Sequence, residues 1–193
     1  DERLSEAAFD ALITAADLVV PILHGRPGED GAFQRRLEKL HVDYLFSRPD
    51  ALADSFDKAK TYELLIRCGL PVPLHKVVAA KAWEADPDAQ LDQLIREFSM
   101  HPGRPAPGLA TLVVKPRGSG SSLGVSLVPR EREHLRSAID SALEHDDHAL
   151  IEEFLDGTEF SVLVLDDSKG KPHALAPTEI DKRSEVYDTR AKY

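Results

Sequence analysis

The sequence over residues 113–124 reads Val113-Val114-Lys115-Pro116-Arg117-Gly118-Ser119-Gly120-Ser121-Ser122-Leu123-Gly124. An apolar strand ends at Lys115, and a loop of glycine and serine separates it from a second apolar run at 125–128. Such a loop can turn backbone N–H groups and hydroxyls toward one anion, because glycine permits the backbone conformations that this concavity needs. The loop lacks the Gly-Lys-Ser/Thr ending of a Walker loop, and a strand follows it where a dinucleotide fingerprint requires a helix. The simplest alternative is a solvated hairpin loop.

The segments around this loop predict alternating strands and helices. Hydrophobic periodicity and turn residues predict helices over 58–68, 81–98 and 130–145, and strands over 75–79, 111–115, 124–128, 148–152 and 159–165. Residues 101–110 are predicted to be a surface loop because of their proline and glycine content, and the turn at 166–170 is predicted to close a hairpin. The centre is therefore β-α-β-loop-β-α-β, an α+β arrangement with a flexible loop between two strands.

The first third of the chain predicts a different unit. Residues 3–16 favour a helix, the apolar run 18–23 favours a buried strand, and Phe33, Leu37 and Leu40 mark a short helix. This β-loop-α unit is typical of the end of a doubly wound α/β domain. One such unit cannot cover both faces of a sheet, so we expect further strands before Asp1 in the natural protein.

Composition excludes several classes of function. The 193 residues are 42% hydrophobic and 30% charged, with a net charge of −10, which disfavours a nucleic-acid partner because phosphate backbones require basic surface. No apolar run approaches the roughly 20 residues that span a bilayer, so we expect no membrane insertion. The start shows no signal peptide, and the single cysteine, Cys68, favours a reducing compartment. We therefore expect a cytoplasmic protein.

Charged residues flank the glycine–serine loop in an order that favours a nucleotide. Lys115 precedes the loop directly, Lys58 opens the 58–68 helix, and Glu152 and Glu153 end a predicted strand. Lysines can meet phosphate oxygens, and carboxylates can accept hydrogen bonds from an adenine amino group or a ribose hydroxyl. Each residue alone is as readily a surface charge or a strand terminus, but the combination predicts one site.

Four segments resemble the ATP-grasp ligases, and among them most closely the D-alanine–D-alanine ligase family. Residues 23–31, Leu-His-Gly-Arg-Pro-Gly-Glu-Asp-Gly, resemble the family's His-Gly-x-x-Gly-Glu-Asp-Gly loop, and Asp57-Lys58 resembles the start of its central domain. The segment from Lys115-Pro116 to Gly124 is similar to the loop that folds over the ATP phosphates. Residues 187–193, Tyr-Asp-Thr-Arg-Ala-Lys-Tyr, resemble the family's Tyr-Asp-Tyr-x-Ala-Lys-Tyr.

The resemblance implies an α/β protein with an incomplete ATP-grasp fold. Residues 1–56 would be the end of an N-terminal α/β domain, 57–156 the central ATP-binding subdomain, and 157–193 the start of a C-terminal subdomain. The implied activity is an ATP-dependent ligase that joins two D-alanines through an acyl phosphate, for peptidoglycan precursor synthesis. The resemblance also implies a homodimer.

The resemblance assigns roles to individual residues. The implied phosphate contacts are Lys58, Lys115 and the loop residues Ser119, Ser121 and Ser122, with Lys192 reaching the transferred phosphate. The implied adenine and ribose contacts are Glu152, Glu153, Phe154, Leu155 and Glu159. The implied catalytic residues are Ser121, Lys192, Tyr193 and His24, of which Ser121 and Tyr193 would hydrogen-bond near the second D-alanine and His24 would lie beside the substrate pocket.

Departures from the family pattern leave alternatives open. Thr189 stands where the family has a tyrosine, and residues 45–49 lack its Gly-Ser-Gly turn. The ligands of Mg²⁺ are expected beyond Tyr193, so we assign no metal ligand within this chain and expect the chain alone to be inactive. One alternative is another ATP-grasp ligase with a different acid or amine, including a D-alanine–D-lactate ligase. Another is a nucleotide-binding module without catalysis.

Overall fold

The structure is a computed structural model that describes residues 5–100 and 111–180. Its helices are α1 Glu6–Thr14, α2 Ala32–Lys39, α3 Pro49–Phe56, α4 Lys58–Arg67, α5 Ala80–Ala85, α6 Pro87–Ser99 and α7 Arg132–Leu143. Its strands are β1 His75–Ala79, β2 Thr111–Pro116, β3 Ser126–Pro129, β4 His148–Glu153, β5 Glu159–Ser161, β6 Val164–Asp166, β7 Pro172–Ala174 and β8 Thr178–Ile180. None of the described helices has the length and apolar character needed to cross a membrane.

A four-stranded sheet forms the centre of the molecule. Its strand order is β1-β4-β2-β3, and every neighbouring pair is antiparallel. The predicted order β-α-β-loop-β-α-β is confirmed, but the helix predicted over 81–98 is two helices. Asp86 caps α6 by accepting a hydrogen bond from the Ala89 N–H, and Pro87 occupies its first turn, so α5 cannot continue through this point.

Helices α5, α6 and α7 cover one face of this sheet. Strand side chains alternate between faces, so Leu112 and Val114 of β2 are buried toward the helices while Val113 and Lys115 point to the other face. The main core combines the buried strand positions with helix residues, namely Val78, Trp83, Leu91, Leu94, Phe98, Leu112, Val114, Leu135, Ala138, Ile139, Ala142, Ala149 and Ile151. The Trp83 indole N–H donates to Asp140 Oδ1 at 2.6 Å, which satisfies the one polar group of that side chain.

A second, smaller core lies in the first third of the chain and consists of Ile13, Phe33, Leu37 and Val42. The predicted helices over 3–16 and around Phe33 correspond to α1 and α2, but the buried strand predicted over 18–23 is wrong. The run makes a single parallel bridge, between Val19 and Tyr44, and Ile22 is 82% exposed. A buried strand needs a partner on each side and cover on both faces, and within the described residues this run has only the Tyr44 bridge.

Helix α3 was not predicted, whereas α4 confirms the helix predicted over 58–68. Pro49 occupies the first turn of α3, and α3 packs against α4. Asp57 caps α4 by accepting from the Ala59 and Lys60 N–H groups, and Gly69 with φ +73° follows its last turn. The cap fixes where α4 begins, so Lys58 stands at the first position of the helix.

The last described segment contains two small, exposed two-stranded sheets. The strand predicted over 159–165 is interrupted, because β5 pairs with β8 whereas β6 pairs with β7. The predicted hairpin turn at 166–170 is confirmed, with the Asp167 side chain accepting from the Lys169 and Lys171 N–H groups. The predicted surface loop over 101–110 lies outside the described residues.

Candidate functional site

A cavity of about 560 Å³ lies on the face of the sheet opposite the main core. All of the predicted cofactor-binding residues within the described ranges line it: Lys58, Lys115, Ser119, Ser121, Ser122, Glu152, Glu153, Phe154, Leu155 and Glu159. These residues come from α4, the end of β2, the glycine–serine loop, the end of β4 and β5. The structure therefore brings together groups that are up to about a hundred positions apart, while their binding roles stay predictions.

A buried ion pair lies at the centre of this cavity wall. Lys115 Nζ is 2.5 Å from Glu152 Oε1, and the two side chains are 16% and 10% exposed. The Tyr62 hydroxyl donates to the other carboxylate oxygen, Glu152 Oε2, at 2.6 Å. Burial, together with the hydrogen bond and charge of Glu152, raises the pKa of Tyr62 above its usual range. Tyr62 therefore remains a neutral donor across the physiological pH range.

Lys58 connects the start of α4 to the glycine–serine loop. Its Nζ donates to the Ser119 carbonyl at 2.7 Å and to the Pro116 carbonyl at 3.1 Å. Its backbone N–H donates to the Arg117 carbonyl at 3.1 Å. Burial, and then repulsion from the ammonium of Lys115, lower the pKa of Lys58 to about 8. An anion in the cavity would favour the charged form of this lysine.

The first residues of the loop are held on both sides. Arg117 makes a two-pronged ion pair with Asp57, with Nε to Oδ1 and Nη2 to Oδ2 both at 2.7 Å. Burial raises the pKa of Asp57, but the hydrogen bonds from Arg117 and from the Lys60 backbone outweigh it, so the net pKa is lowered. The Gly118 N–H donates to Asp146 Oδ2 at 2.9 Å. The loop therefore leaves the sheet in a fixed direction.

The tip of the loop has an unusual backbone conformation. Ser121 and Ser122 have φ values of +52° and +57°, a region that residues other than glycine seldom adopt. Gly124, with φ +68°, lies so close to Pro116 and His145 that a Cβ would be 2.8 Å from Pro116 Cγ. Successive residues in such conformations can form an anion-binding concavity, and here the serine hydroxyls belong to the same turn.

A second loop, residues 24–31, packs against the first. A Cβ on Gly120 would lie 3.0 Å from Glu29 Oε2 and 3.4 Å from Gly25 Cα, so the close approach of the two loops depends on glycine. Glu29 Oε2 also accepts the Gly25 N–H at 2.5 Å, which fixes the shape of the second loop. His24 belongs to this loop but is exposed and lies outside the cavity lining. Its catalytic role stays a prediction, and Lys192 and Tyr193 lie outside the described residues.

Glu153 is tied to the backbone at the entry to β1. Its Oε1 accepts the Leu74 N–H at 2.8 Å, and its own N–H donates to the Leu74 carbonyl at 3.0 Å. The Phe154 N–H donates to the Thr111 carbonyl at 3.1 Å. These bonds fix the chain that connects β4 to Leu155 along the edge of the cavity. Within residues 5–100 and 111–180, no group of three or more His, Cys, Asp or Glu side chains is arranged to hold a metal ion.

Tyr62 lines the cavity but is not among the residues predicted from the sequence. It lies one helical turn after Lys58, so both side chains project from the same face of α4, and this i,i+4 spacing was a usable signal. Val113 and Leu127 also line the cavity and give it an apolar floor between the charged groups. Alternation along β2 and β3 places them on this face, opposite the core positions.

The sequence and the fold have counterparts in known proteins. The family model described as D-ala D-ala ligase C-terminus matches residues 64–193. A D-alanine–D-alanine ligase from Bacillus velezensis is 36% identical over 177 residues, which are 92% of this chain and 46% of that protein. One from Haemophilus influenzae is 39% identical over 173 residues, or 89% of this chain and 52% of that protein. The chain thus spans about half the length of the curated relatives it matches.

Solved structures agree with these sequence matches. A D-Ala:D-Ser ligase from Enterococcus faecalis matches with a TM-score of 0.73 and 27% identity, over 90% of this chain and 46% of that one. The D-alanine–D-alanine ligase from Coxiella burnetii matches with a TM-score of 0.71 and 28% identity, over 86% and 44% of the two chains. The predicted α/β, ATP-grasp type of fold is confirmed by these likenesses.

Proposed function

The chain belongs to the D-alanine–D-alanine ligase family, and from that membership we propose that the protein is an ATP-dependent ligase that joins two D-alanines. The observation that carries the proposal is the cavity in which two lysines, a glycine–serine loop and the acidic end of β4 meet. A family match alone fits a binding module as well, but this cavity contains groups suited to both ends of a nucleoside triphosphate.

The cavity residues fit ATP according to their chemistry. We propose that Lys58, Lys115 and the loop residues Ser119, Ser121 and Ser122 bind the phosphates, as ammonium groups, hydroxyls and loop N–H groups do in phosphate sites. Glu152 would accept from the adenine amino group, Val113 and Leu127 would contact the ring, and Glu159 would bind the ribose. Phe154 and Leu155 would close the adenine end.

The proposed chemistry needs positioning more than covalent participation by the protein. The carboxylate of the first D-alanine receives the terminal phosphoryl group, and the amine of the second D-alanine then displaces phosphate to form the peptide bond. The lysines would neutralise the phosphate charge, and the loop over the cavity would exclude water, which hydrolyses an acyl phosphate. Mg²⁺ bound with the nucleotide would further neutralise the phosphate charge.

Further parts of the proposal concern organisation and setting. We propose boundaries near residues 56 and 156, and the separation of the small core around Leu37 from the main core supports the first of them. The family suggests a homodimer, a cytoplasmic location and a role in peptidoglycan precursor synthesis. Sedimentation of the purified protein at several concentrations checks the dimer, since a monomer at all concentrations would contradict it.

The direct test is ATP turnover with defined amino acids. The natural protein should release phosphate from ATP only when D-alanine is present, whereas the 193-residue chain alone should not, and chromatography should find D-alanyl-D-alanine as the product. L-alanine serves as the matched control and should give the background rate. A non-catalytic module would bind ATP without turnover, and that result would contradict the ligase proposal.

The same assay addresses the second substrate. The likeness to a D-Ala:D-Ser ligase favours D-serine as the alternative amine, and D-lactate would reveal depsipeptide synthesis. Mixtures of D-alanine with D-serine or D-lactate at equal concentration should give mainly the D-alanine dipeptide. If the product that contains D-serine or D-lactate is in excess, that compound replaces D-alanine as the proposed second substrate.

A further inference from the structure

The carboxylate of Glu152 accepts hydrogen bonds from two donors in different parts of the fold. Lys115, at the end of β2, holds Oε1 at 2.5 Å, and Tyr62, in α4, holds Oε2 at 2.6 Å. With each oxygen fixed by its own donor, the carboxylate cannot rotate about its terminal bond without breaking one of the two bonds. Its orientation in the cavity is therefore set before any ligand arrives.

The fixed carboxylate still has hydrogen-bonding capacity. Each ionised oxygen carries two lone pairs, so each can accept one bond beyond those from Lys115 and Tyr62. Glu152 lines the cavity together with the apolar side chains of Val113 and Leu127. A carboxylate can only accept hydrogen bonds, so this position favours a ligand edge that donates and repels one that presents an oxygen.

Helix α4 sets the spacing between the two ends of the site. Lys58 and Tyr62 are four residues apart and lie on one face, about 6 Å apart along the axis. Lys58 contacts the glycine–serine loop, and Tyr62 contacts the carboxylate near the end of β4. One rigid helix thus positions a phosphate-side group and a base-side group together.

We infer that Tyr62 is a positioning residue that fixes Glu152 as the acceptor for the 6-amino group of a purine, and so sets the preference for adenine over 6-oxopurines. Adenine donates from this position, whereas hypoxanthine presents a carbonyl oxygen there. The Tyr62 ring also packs against the His75 ring, with 4.7 Å between the two centroids, so a contact other than the hydroxyl positions the ring. This inference rests on the proposed nucleotide site and adds its base specificity.

The test compares ATP with inosine triphosphate, whose base carries a 6-oxo group and an N1–H where adenine has a 6-amino group and an unprotonated N1. Tyr62→Phe removes the hydroxyl and keeps the ring. The Kd for inosine triphosphate divided by the Kd for ATP, both measured by calorimetry, should therefore fall by about three- to tenfold. The fall should come from weaker ATP binding combined with better acceptance of inosine triphosphate. Added to Glu152→Ala, Tyr62→Phe should change the ratio no further.

Tyr44→Phe is the matched control, because it also removes a hydroxyl that donates to a carboxylate, Glu38 Oε1 at 3.1 Å, but outside the cavity. It should leave the ratio unchanged. If Tyr62→Phe lowers Tm or weakens both nucleotides equally while the ratio stays constant, Tyr62 is merely structural and the inference is overturned. If the unmodified protein binds neither nucleotide, the proposed function fails and this inference fails with it. Unmodified protein that binds ATP, with an unaltered ratio in the variant, overturns the inference alone.

Discussion

The two faces of the central sheet differ in what covers them, although the same strands form both. On the helix-covered face, Val114 and Ile151 are fully buried in an apolar core. On the opposite face, their sequence neighbours Lys115 and Glu152 form an ion pair in the wall of a cavity. Alternation along each strand places core positions and cavity positions one residue apart. Substitutions at neighbouring positions of one strand should therefore affect different properties, the free energy of unfolding on one face and ATP affinity on the other.

The largest effect is expected on the buried face. Ile151→Ala removes a fully buried side chain from the main core and should lower the free energy of unfolding by about 2–5 kcal/mol. The measurement is urea denaturation followed by circular dichroism. Val113→Ala, on the cavity face of β2, is the matched control and should cost no more than about 1 kcal/mol. Equal losses for the two variants would remove the distinction between the faces.

The next effect concerns Lys115 on the cavity face. Lys115→Ala should weaken ATP binding about tenfold or somewhat more, since a charge-assisted hydrogen bond contributes roughly 1.5–3 kcal/mol. Lys60→Ala, in α4, is the control because its ammonium pairs at 3.3 Å with Asp54 on the surface. Calorimetry should find its ATP affinity unaltered. An unaltered affinity in Lys115→Ala would refute the role proposed for that lysine.

A smaller effect follows from the pKa of Lys58. Its lowered pKa of about 8 means that ATP affinity should fall as pH rises above this value, by at most about tenfold per pH unit, because the neutral amine no longer attracts phosphate. Lys58→Arg stays charged, so its affinity should be flat over the same range. A wild-type profile as flat as that of Lys58→Arg would contradict the assignment of Lys58 to the phosphates.

The same pKa also predicts a change in stability of a definite sign. Between pH 8 and the ordinary lysine value of 10.5, the unfolded chain binds the Lys58 proton more than the folded chain does. The free energy of unfolding should therefore rise through this window, because the penalty of burying the charged amine is relieved. Comparison of denaturation curves for the wild type and Lys58→Ala isolates this contribution, which the variant should lack.

Local signals in the sequence sufficed for the central sheet. Alternation in β2 and the caps of α4, Asp57 and Gly69, act within a few residues, so the strand, the helix and the position of Lys58 were predictable. The buried strand predicted over 18–23 is wrong because strand formation depends on pairing partners, which local hydrophobicity does not reveal. The break between β5 and β6 likewise depends on which strand each one pairs with.

Many of the residues that line the cavity could be predicted from the sequence, but the hydrogen bonds between them could not. The residue types and the family motifs pointed to Lys115 and Glu152 separately. Their mutual ion pair depends on the register of β2 against β4, which places Val113 opposite Glu152 and Lys115 opposite Leu150. Tyr62 was missed because a tyrosine on an amphipathic helix is usually a packing residue. Its hydrogen bond to Glu152 joins positions 90 residues apart.

Hydrogen exchange with and without ATP tests most directly that the cavity face is the nucleotide site. Residues 117–123 contain glycine and serine with few apolar contacts, so the amides beyond Gly118, whose N–H is bonded to Asp146, should exchange quickly in the free protein and slowly once ATP is bound. Slowing should extend to residues 152–155 and leave α7, on the opposite face, unchanged. Slowing confined to α7, or equal exchange of residues 117–123 under both conditions at saturating ATP, would contradict the assignment of binding to this face.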